Sequence, residues 1–278
     1  MGATSIDNYD LLKQQVEEEI TRMISANDVV DASTIKTTVA KGNVVEVVKQ
    51  TSTLSVSTQS ELEEMESDVI SFDKDYVVMV EKAVAPLMAK RFIDDADWDT
   101  VNMYNQEIAR AFVDERNSDF LTALDDGVDD DNVFPVVVAW STATTAIIED
   151  LSYLNSLLET NNFGRGKKAL IMHPTAYHYL RSVEGIYSVS TSDMNTLKTG
   201  FVDDLFNSVI LTTTECTTGT VYLVDTEIGA VRHYEREPVT VDIEELKSRR
   251  AIRIPAYTRY AFYVVRPTAI ACLTGVVA

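Results

Sequence analysis

The longest regular pattern in this chain lies between Asp97 and Gly127, in the string DWDTVNMYNQEIARAFVDERNSDFLTALDDG. Its apolar residues recur at the spacing of one helix face, Asp99 or Thr100 can cap the start, and Gly127 can end it. The pattern predicts a helix of about 26 residues, roughly 39 Å long at about 1.5 Å per residue. Any fold for this chain must accommodate that length. The predicted apolar stripe consists of Val101, Tyr104, Ile108, Ala111, Phe112, Phe120 and Leu124.

Two further amphipathic helices are predicted, one on each side of the long one. The first covers residues 9–25 and is broken by the string SANDVVDAS, and the second covers residues 142–160. Apolar residues three and four positions apart define one face of each. These faces are Leu12, Val16, Ile20 and Met23 in the first helix, and Ile147, Leu151, Leu154 and Leu158 in the second. A short helical piece is also predicted around Pro86, after an apolar β-like stretch.

Residues 33–58 change to a strand pattern rich in Val and Thr, in which Leu54 and Val56 alternate with polar residues. The KGN turn at 41–43 predicts a long hairpin that joins TIKTTVA to VVEVVKQ. Such a hairpin has few large apolar residues and is marginal by itself in water. We therefore expect the hairpin to pack against another element, such as one in a neighbouring subunit.

The remainder of the chain is predicted to be mixed and then rich in strands. KALIMH reads as a buried strand, and PTAYHYLRS, which follows it, reads as a short helix that begins at Pro174. The predicted strands of the final third are SVILTTT, TVYLVDT, AVRHYE, PVTVDI, RAIRIPA and RYAFYVVRP.

Charge separates the two halves of the chain. The 44 acidic and 24 basic residues give a net charge of −20. Residues 1–131 hold 29 acids and 11 bases, and residues 132–278 hold 15 acids and 13 bases. This balance argues against sequence-specific binding to nucleic acid, which needs clustered Lys and Arg. The acid excess and the scarcity of Lys (11 residues) fit either an ordinary solvated surface or a halophilic source, where molar salt shortens the Debye length to about 3 Å and screens the repulsion.

Other whole-chain features bear on disorder, membrane insertion and secretion. Apolar residues make up 45% of the chain, which is enough for a core and excludes wholesale disorder. No apolar run of about 18 residues predicts a membrane span. The N-terminus lacks a basic start followed by an apolar stretch, so no secretory signal is expected.

The three histidines are the first candidates for metal binding or catalysis. His173 precedes Pro174 and is predicted to cap a helix, which leaves His178 about 140° away around the axis at about 3.6 residues per turn. Zinc-binding pairs on helices use spacings of three or four. His233 lies in a separate predicted strand without an evident partner. The sequence therefore favours structural roles for all three, and the alternative of a metal-assisted hydrolase stays open.

The remaining candidate sites lack the spacing that their chemistry requires. DDGVDDDN at 125–132 misses the alternating acids and distal Glu of a calcium loop, and NNFGRGK lacks the ending of a phosphate-binding loop. Cys216 and Cys272 are expected to be buried free thiols. The sequence predicts no catalytic, cofactor-binding or metal-binding residue, no cofactor and no enzyme activity.

Several local strings, in order, resemble the major capsid proteins of tailed viruses, the Hong Kong 97 phage capsid fold that encapsulin shells share. IARAFVDERNSDFLTALDDG is similar to the end of the family's spine helix, with Asp119, Phe120, Leu121 and Gly127 at the matching places. Together with the other matching strings, it extends the resemblance over residues 70–278. They are KKALIMHPTAYHYLRS (Met172, His173, Pro174, Leu180 and Arg181), LFNSVILTTT (Leu205 and Val209, with Asn207 and Ser208 in place of Gly and Pro), TVYLVDTEIGAVRHYEREPVTVDI (Asp225 at a turn) and RAIRIPAYTRYAFYVVRPTAIACL.

The resemblance implies an α+β fold divided as in that family. The expected parts are an N-terminal arm at 1–32, an E-loop hairpin at 33–69, a peripheral domain with the spine helix at 70–132, an axial domain at 133–240, and a return to the peripheral sheet at 241–278. Some members cross-link a Lys of the E-loop to an Asn elsewhere. Lys36, Lys41 and Lys49 lie in the corresponding region, but no partner is identified and no bond is predicted.

The resemblance also implies the protein's partners. Copies of the chain would form hexamers and pentamers of an icosahedral shell in the virion, enclosing double-stranded DNA without sequence-specific contacts and without a membrane. Scaffolding, portal and decoration proteins are the further partners it implies. No scaffolding segment is expected before the arm, so scaffolding is expected to be a separate protein or to be already absent. Two related alternatives stay open, an encapsulin-like nanocompartment shell and an accessory virion protein.

Overall fold

The computed structural model describes residues 13–14, 17–19, 21–22, 29–39, 42–50, 71–89, 98–142, 146–183 and 204–277. Within the predicted helix at 9–25, the described residues are helical. Its apolar face at Leu12, Val16, Ile20 and Met23 lies outside the described residues, as do Leu54 and Val56.

Four helices have complete bounds in the described part of the chain. They are α1 (Val29–Ser33), α2 (Trp98–Gly127), α3 (Ala146–Thr160) and α4 (Pro174–Arg181). Helices α2, α3 and α4 form where they are predicted, except that α3 begins at Ala146 and not at residue 142, which lies in a turn. The four predicted apolar residues of α3 are its buried ones. The predicted break in SANDVVDAS is wrong at its end, where α1 forms because Val29 and Val30 pack into a core with Phe120.

The strands, in chain order, are short except for β11 and β14. They are β1 (Ile35–Thr38), β2 (Val44–Gln50), β3 (Phe72–Val78), β4 (Val80–Val84), β5 (Leu87–Ala89), β6 (Val133–Pro135), β7 (Lys168–Met172), β8 (Asp204–Leu205), β9 (Ser208–Thr212), β10 (Thr220–Asp225), β11 (Val231–Val241), β12 (Glu244–Leu246), β13 (Ala251–Arg253), β14 (Ala256–Val264) and β15 (Ile270–Thr274).

Two larger sheets organise these strands. Six strands follow the order β6-β15-β10-β7-β9-β8, and four follow the order β1-β11-β14-β4. In the six-stranded sheet, β7 is buried at every position, which explains its continuous apolar run. Its core packs against α3 and α4 through residues that include Leu154, Leu158, Leu170 and Leu180.

Helix α2, which is 30 residues and therefore about 45 Å long, packs across β14 of the four-stranded sheet. Phe120 meets Phe262 edge to face at 5.6 Å between ring centroids. Lys82 of β4 reaches Glu115 (2.6 Å) and Asp119 (3.1 Å) on the helix. The helix is thus fixed to the sheet by both apolar and charged contacts.

The predicted apolar stripe of α2 is only partly correct. Ile108, Phe112, Phe120 and Leu124 are buried, whereas Tyr104 and Ala111 are exposed. The side chain of Val101 lies outside the described residues. The true buried face also carries Asn105, Arg116 and Asn117. An apolar periodicity could not include those polar residues, so it placed the stripe partly on the wrong side.

The predicted hairpin across the KGN turn is wrong in its pairing. Strand β1 pairs in parallel with β11, from Ile35↔Arg232 to Thr38↔Glu235, and β2 pairs antiparallel with β3. The physical reason is the burial that each partner offers. Val47 of β2 and Val77 of β3 enter one core together, whereas β1 is polar and gains its hydrogen bonds from the edge of a larger sheet. The ribbon is therefore β2–β3, with residues 51–70 outside the described part of the chain.

Two smaller predictions also need correction. The segment around Pro86 is extended rather than helical, because β5 pairs with β13 and buries Met88 opposite Ile252. AVRHYE and PVTVDI form the single strand β11, whose pairing with β14 shifts between Glu235 and Thr240. Pro238 lies in that shifted region, where it lacks the N–H that a regular ladder needs.

The predicted divisions of the second half do not coincide with the changes of sheet. The chain enters the four-stranded sheet at Val231, before position 240, because β11 belongs with β14. The last strand, β15, lies in the six-stranded sheet between β6 and β10. A small third sheet, ordered β12-β13-β5, completes the described strands.

Candidate functional site

The most unusual surface of the molecule is the outer face of the β2–β3 ribbon. In an antiparallel pair, directly opposed residues share a face. Val44 opposes Val78, Glu46 opposes Tyr76, and Val48 opposes Lys74. The large apolar side chains on this face are exposed, with exposed fractions of 49–66%: Val44, Val48, Phe72, Tyr76 and Val78. We call these five residues the ribbon patch.

The opposite face of the ribbon holds it to the molecule. Val47 and Val77 are buried in a small core with Met79, Tyr234 and Ala261. Since side chains alternate along a strand, burying this face leaves the ribbon patch pointing outward.

A polar contact fixes the ribbon to β14 as well. Lys49 lies 3.0 Å from Asp75 and 4.9 Å above the Tyr263 ring, and the Tyr263 hydroxyl donates to Asp75. The Tyr263 hydroxyl and the Lys49 ammonium hold the pKa of the Asp75 carboxyl below its usual value. The ribbon patch is therefore presented on an anchored element.

The lysines in the region of the expected cross-link are engaged in ion pairs. Lys36 lies 2.7 Å from Glu235, and Lys49 pairs with Asp75. Lys41 lies outside the described residues. These contacts hold two of the three amines within the same chain.

The pair His173 and His178 is not brought together into a site. The Nδ1 atom of His173 accepts a hydrogen bond from the Thr175 N–H at 3.1 Å, so this residue is the N-cap of α4, as predicted. His178 is exposed on the same helix. In the part of the chain that the structure describes, no group of three or more His, Cys, Asp or Glu side chains converges to hold a metal ion.

His233, in β11, is buried against α2 and stacks on Phe262 at 4.9 Å. Its Nδ1 atom lies 3.3 Å from Nη2 of Arg116, which also donates to Asp31 of α1 at 2.9 Å. Because Arg can only donate, Nδ1 must accept and the ring proton sits on Nε2. Burial first, and then the charge of Arg116, lowers the pKa of His233 to about 3. The residue is a neutral core group that joins three elements.

The two cysteines are buried free thiols, as expected. Burial raises the pKa of both Cys216 and Cys272 to about 12. A thiol with so high a pKa is almost entirely protonated at neutral pH and is a weak nucleophile. Both lie in the core between α2 and the six-stranded sheet.

The acidic and glycine-rich loops have structural contacts. Asp225, which is fully buried, accepts hydrogen bonds from the N–H groups of Gly164 (2.7 Å) and Glu227 (3.1 Å). It thereby ties the NNFGRGK loop to the turn after β10. At the end of the acidic loop, Asn132 donates to the carbonyls of Thr268 and Ile270.

Sequence reasoning anticipated a hairpin with little core but missed the ribbon patch itself. The signal was present in residues 72–78, where Phe72, Tyr76 and Val78 alternate with Asp73, Asp75 and Val77. By itself the alternation predicts only a separate β-like piece, because the partner strand lies more than twenty residues earlier in the chain.

Comparison with solved structures places the fold. The chain is similar to the virus-like particle protein from Pyrococcus furiosus, with a TM-score of 0.64 and 13% identity over 94% of this chain and 98% of that one. It is also similar to a structure of Microbacterium phage Oxtober96, with a TM-score of 0.70 and 12% identity over 89% and 91% of the two chains. The capsid of cyanophage P-SCSP1u gives a TM-score of 0.65 and 11% identity over 88% and 89%. These likenesses confirm the expected α+β, Hong Kong 97-like fold.

No helix in the described part of the chain is both long and apolar enough to cross a membrane. No curated protein matches the sequence. The family comparison does match, from residue 9 to residue 275, to the phage capsid family. Because this match covers nearly the whole chain, the protein belongs to the phage capsid family and is a shell protein of a virion capsid.

Proposed function

We propose that this chain is the major capsid protein, whose copies assemble as hexamers and pentamers around packaged double-stranded DNA. The family match favours this over an encapsulin-like compartment. The protein's work is structural self-association, and a lack of catalytic activity is part of the proposal. The net charge of −20 suits a shell that encloses DNA without sequence-specific contacts. Scaffolding, portal and decoration proteins are proposed as its further partners.

The ribbon patch is the single observation that carries this proposal. The five apolar side chains share their face of the ribbon with the ion pair Lys74–Glu46 (2.5 Å). Exposed apolar patches that polar residues border mark sites of interaction with other proteins. Each side chain of this size contributes about 1.5–3 kcal/mol when it becomes fully buried. The five members of the ribbon patch are therefore a surface that gains free energy by packing on a neighbouring subunit.

The proposed parts of the chain follow the observed sheets. The N-terminal arm remains at 1–32, and the E-loop is the ribbon at 44–78 rather than 33–69. The peripheral part combines α2 with the four-stranded sheet, and the axial part is the six-stranded sheet with α3 and α4. A halophilic, archaeal viral source is also proposed, on the strength of the acid excess.

Placing charge on the ribbon patch tests the proposal. The double variant Val48→Asp/Tyr76→Asp should remain folded, because both side chains are exposed, and should fail to form shells. Sedimentation velocity and electron microscopy measure assembly, and circular dichroism checks the fold.

The matched control is Val48→Ile/Tyr76→Phe, which keeps the patch apolar and should assemble like the unmodified protein. Normal assembly of the Asp variant would show that the ribbon patch does not lie in an interface.

A further inference from the structure

A short segment closes one edge of the four-stranded sheet. Residues 29–39, which we call the strap, contain helix α1 and strand β1. Strand β1 is the outermost strand of that sheet and, among the described strands, pairs with β11 alone. The strap therefore lies between β11 and the solvent along this edge.

The strap is held by little buried apolar surface. Val29 and Val30 pack into the core beside Phe120 of α2, but three of the four residues of β1 are exposed. The Ser33 hydroxyl is buried without a hydrogen-bond partner in the part of the chain that the structure describes, which costs free energy in the closed state. Segments with few buried apolar contacts open at a lower free energy than the core does.

Two ion pairs join the strap to the rest of the molecule, and both involve a cation next to His233. Arg116 of α2 donates to Asp31 of the strap at 2.9 Å, and its Nη2 atom lies 3.3 Å from His233 Nδ1. Lys36 of the strap lies 2.7 Å from Glu235 and opposite His233 in the β1–β11 register. A proton on His233 would thus place a third positive charge between these two cations.

The other polar groups packed around His233 are engaged with one another. Tyr260 of β14 meets the His233 ring edge to face at 5.9 Å, and its hydroxyl donates to Asp119 at 2.8 Å. Asp119 also pairs with Lys82 of β4, which reaches Glu115 as well. Burial first, and then the charges of Arg116 and Lys36, lowers the pKa of His233 in the closed state.

Detachment of the strap would change this environment. Strand β11 would become the outermost strand, so water would reach His233 from that edge. Lys36 would leave with β1, and Arg116 would lose Asp31 and could turn toward water. In this open state the pKa of His233 returns to its ordinary value of about 6.5. A proton that binds the open state and is excluded from the closed state shifts the population toward the open one.

We propose that protonation of His233 detaches the strap from the sheet while the rest of the fold stays intact. Above pH ~6.5 His233 is neutral in both states, and the strap stays closed. Below that pH the open state gains about tenfold in population for each pH unit, so it should rise about thirtyfold between pH 7.5 and pH 5. The strap connects residues 1–28 to the body of the protein, and acid would therefore free the N-terminal part of the chain.

Hydrogen–deuterium exchange of the unassembled full chain, read by mass spectrometry, tests this at several pH values from 7.5 to 5. After correction for the pH dependence of the chemical exchange rate, the protection of residues 29–39 should fall about thirtyfold. The slope below pH ~6.5 should correspond to one proton. Helix α3 and strand β7, in the other sheet's core, should keep their protection throughout.

Two matched variants assign the effect to His233. His233→Gln keeps an acceptor for Arg116 but does not titrate in this range, so the strap should stay almost equally protected at pH 7.5 and pH 5. His178→Gln removes an exposed histidine from α4 and should respond to pH like the unmodified chain. If His233→Gln does not fold, the one-proton slope of the unmodified chain still decides the question.

Three results would overturn the proposal. Unchanged protection of the strap in the unmodified chain would show that it does not open with acid. An equal fall in His233→Gln would show that another group titrates. An equal fall in α3 and β7 would show that the whole molecule opens rather than the strap. Because the chain is measured unassembled, none of these results depends on whether the protein forms shells.

Discussion

At the residue scale, His233 is the most deeply buried of the three histidines. It sits beneath α2 with Arg116 as its hydrogen-bond donor and Phe262 as its stacking partner. A cavity of about 20 Å³ adjoins it, enough for about one water. His233 stays neutral in the folded protein because a second positive charge beside Arg116 would be buried without compensation.

This arrangement makes stability depend on pH in a definite direction. The folded-state pKa of His233 is lowered to about 3, whereas the unfolded value is about 6.5. Below pH ~6.5 the unfolded chain therefore binds a proton that the folded chain excludes, and stability falls down to pH ~3. We expect His233 to contribute a loss of about 2 kcal/mol between pH 7.5 and 5.

The variant His233→Gln tests this, because its carbonyl can still accept from Arg116 but does not titrate in this range. Chemical unfolding at pH 7.5 and pH 5 should show a smaller loss in the variant than in the unmodified protein. Equal losses in both would mean that His233 does not titrate as its burial requires.

At the element scale, the end of α2 is fitted closely to β14. A Cβ atom placed on Gly127 would overlap the side chain of Val264. Gly127 is the last residue of the helix, and its lack of a Cβ permits the close approach to the sheet. We expect Gly127→Ala to lower the free energy of unfolding by about 1–3 kcal/mol, which is typical of overpacking.

A double-mutant cycle separates this clash from a loss of backbone freedom. Val264→Ala removes the opposing methyl groups and destabilises by itself, because it leaves a cavity. The double variant Gly127→Ala/Val264→Ala should lose less stability than the sum of the losses in the two single variants, as measured by denaturant unfolding. Strict additivity would contradict the proposed fit.

The elements differ in how far the sequence determines them locally. Helix α3 was predicted with its buried residues because Ile147, Leu151, Leu154 and Leu158 repeat within one turn of each other. The N-cap at His173 was also predictable from local sequence, since Pro174 follows it directly and favours the first turn of a helix. Helix α2 was predicted in extent, but its buried polar residues Arg116 and Asn117 cannot be recognised from periodicity.

Strand pairing could not be predicted from local sequence patterns. The partners of β1 and β2 are β11 and β3, and both lie beyond the adjacent turn in the sequence. A Val-rich strand can pair with any similar strand, so its choice depends on which core is available. The exposed patch on the ribbon became visible only once β2 and β3 were paired.

At the scale of the whole molecule, two electrostatic effects oppose each other during assembly. Copies with a charge of −20 repel over the Debye length, which is about 30 Å at 0.01 M salt and about 3 Å at 1 M. Close pairs of opposite charge are screened less when they become buried in an interface. Added salt should therefore favour assembly on balance.

Electron microscopy of the purified, full chain tests the central claim most directly, with matched samples at about 1 M and about 0.01 M salt. We expect closed, regular shells at high salt and fewer or none at low salt. Shells that persist unchanged at low salt would contradict the halophilic proposal but leave the capsid function intact. A uniform monomer or small oligomer at both salt concentrations would contradict the claim that this chain assembles into a shell by itself.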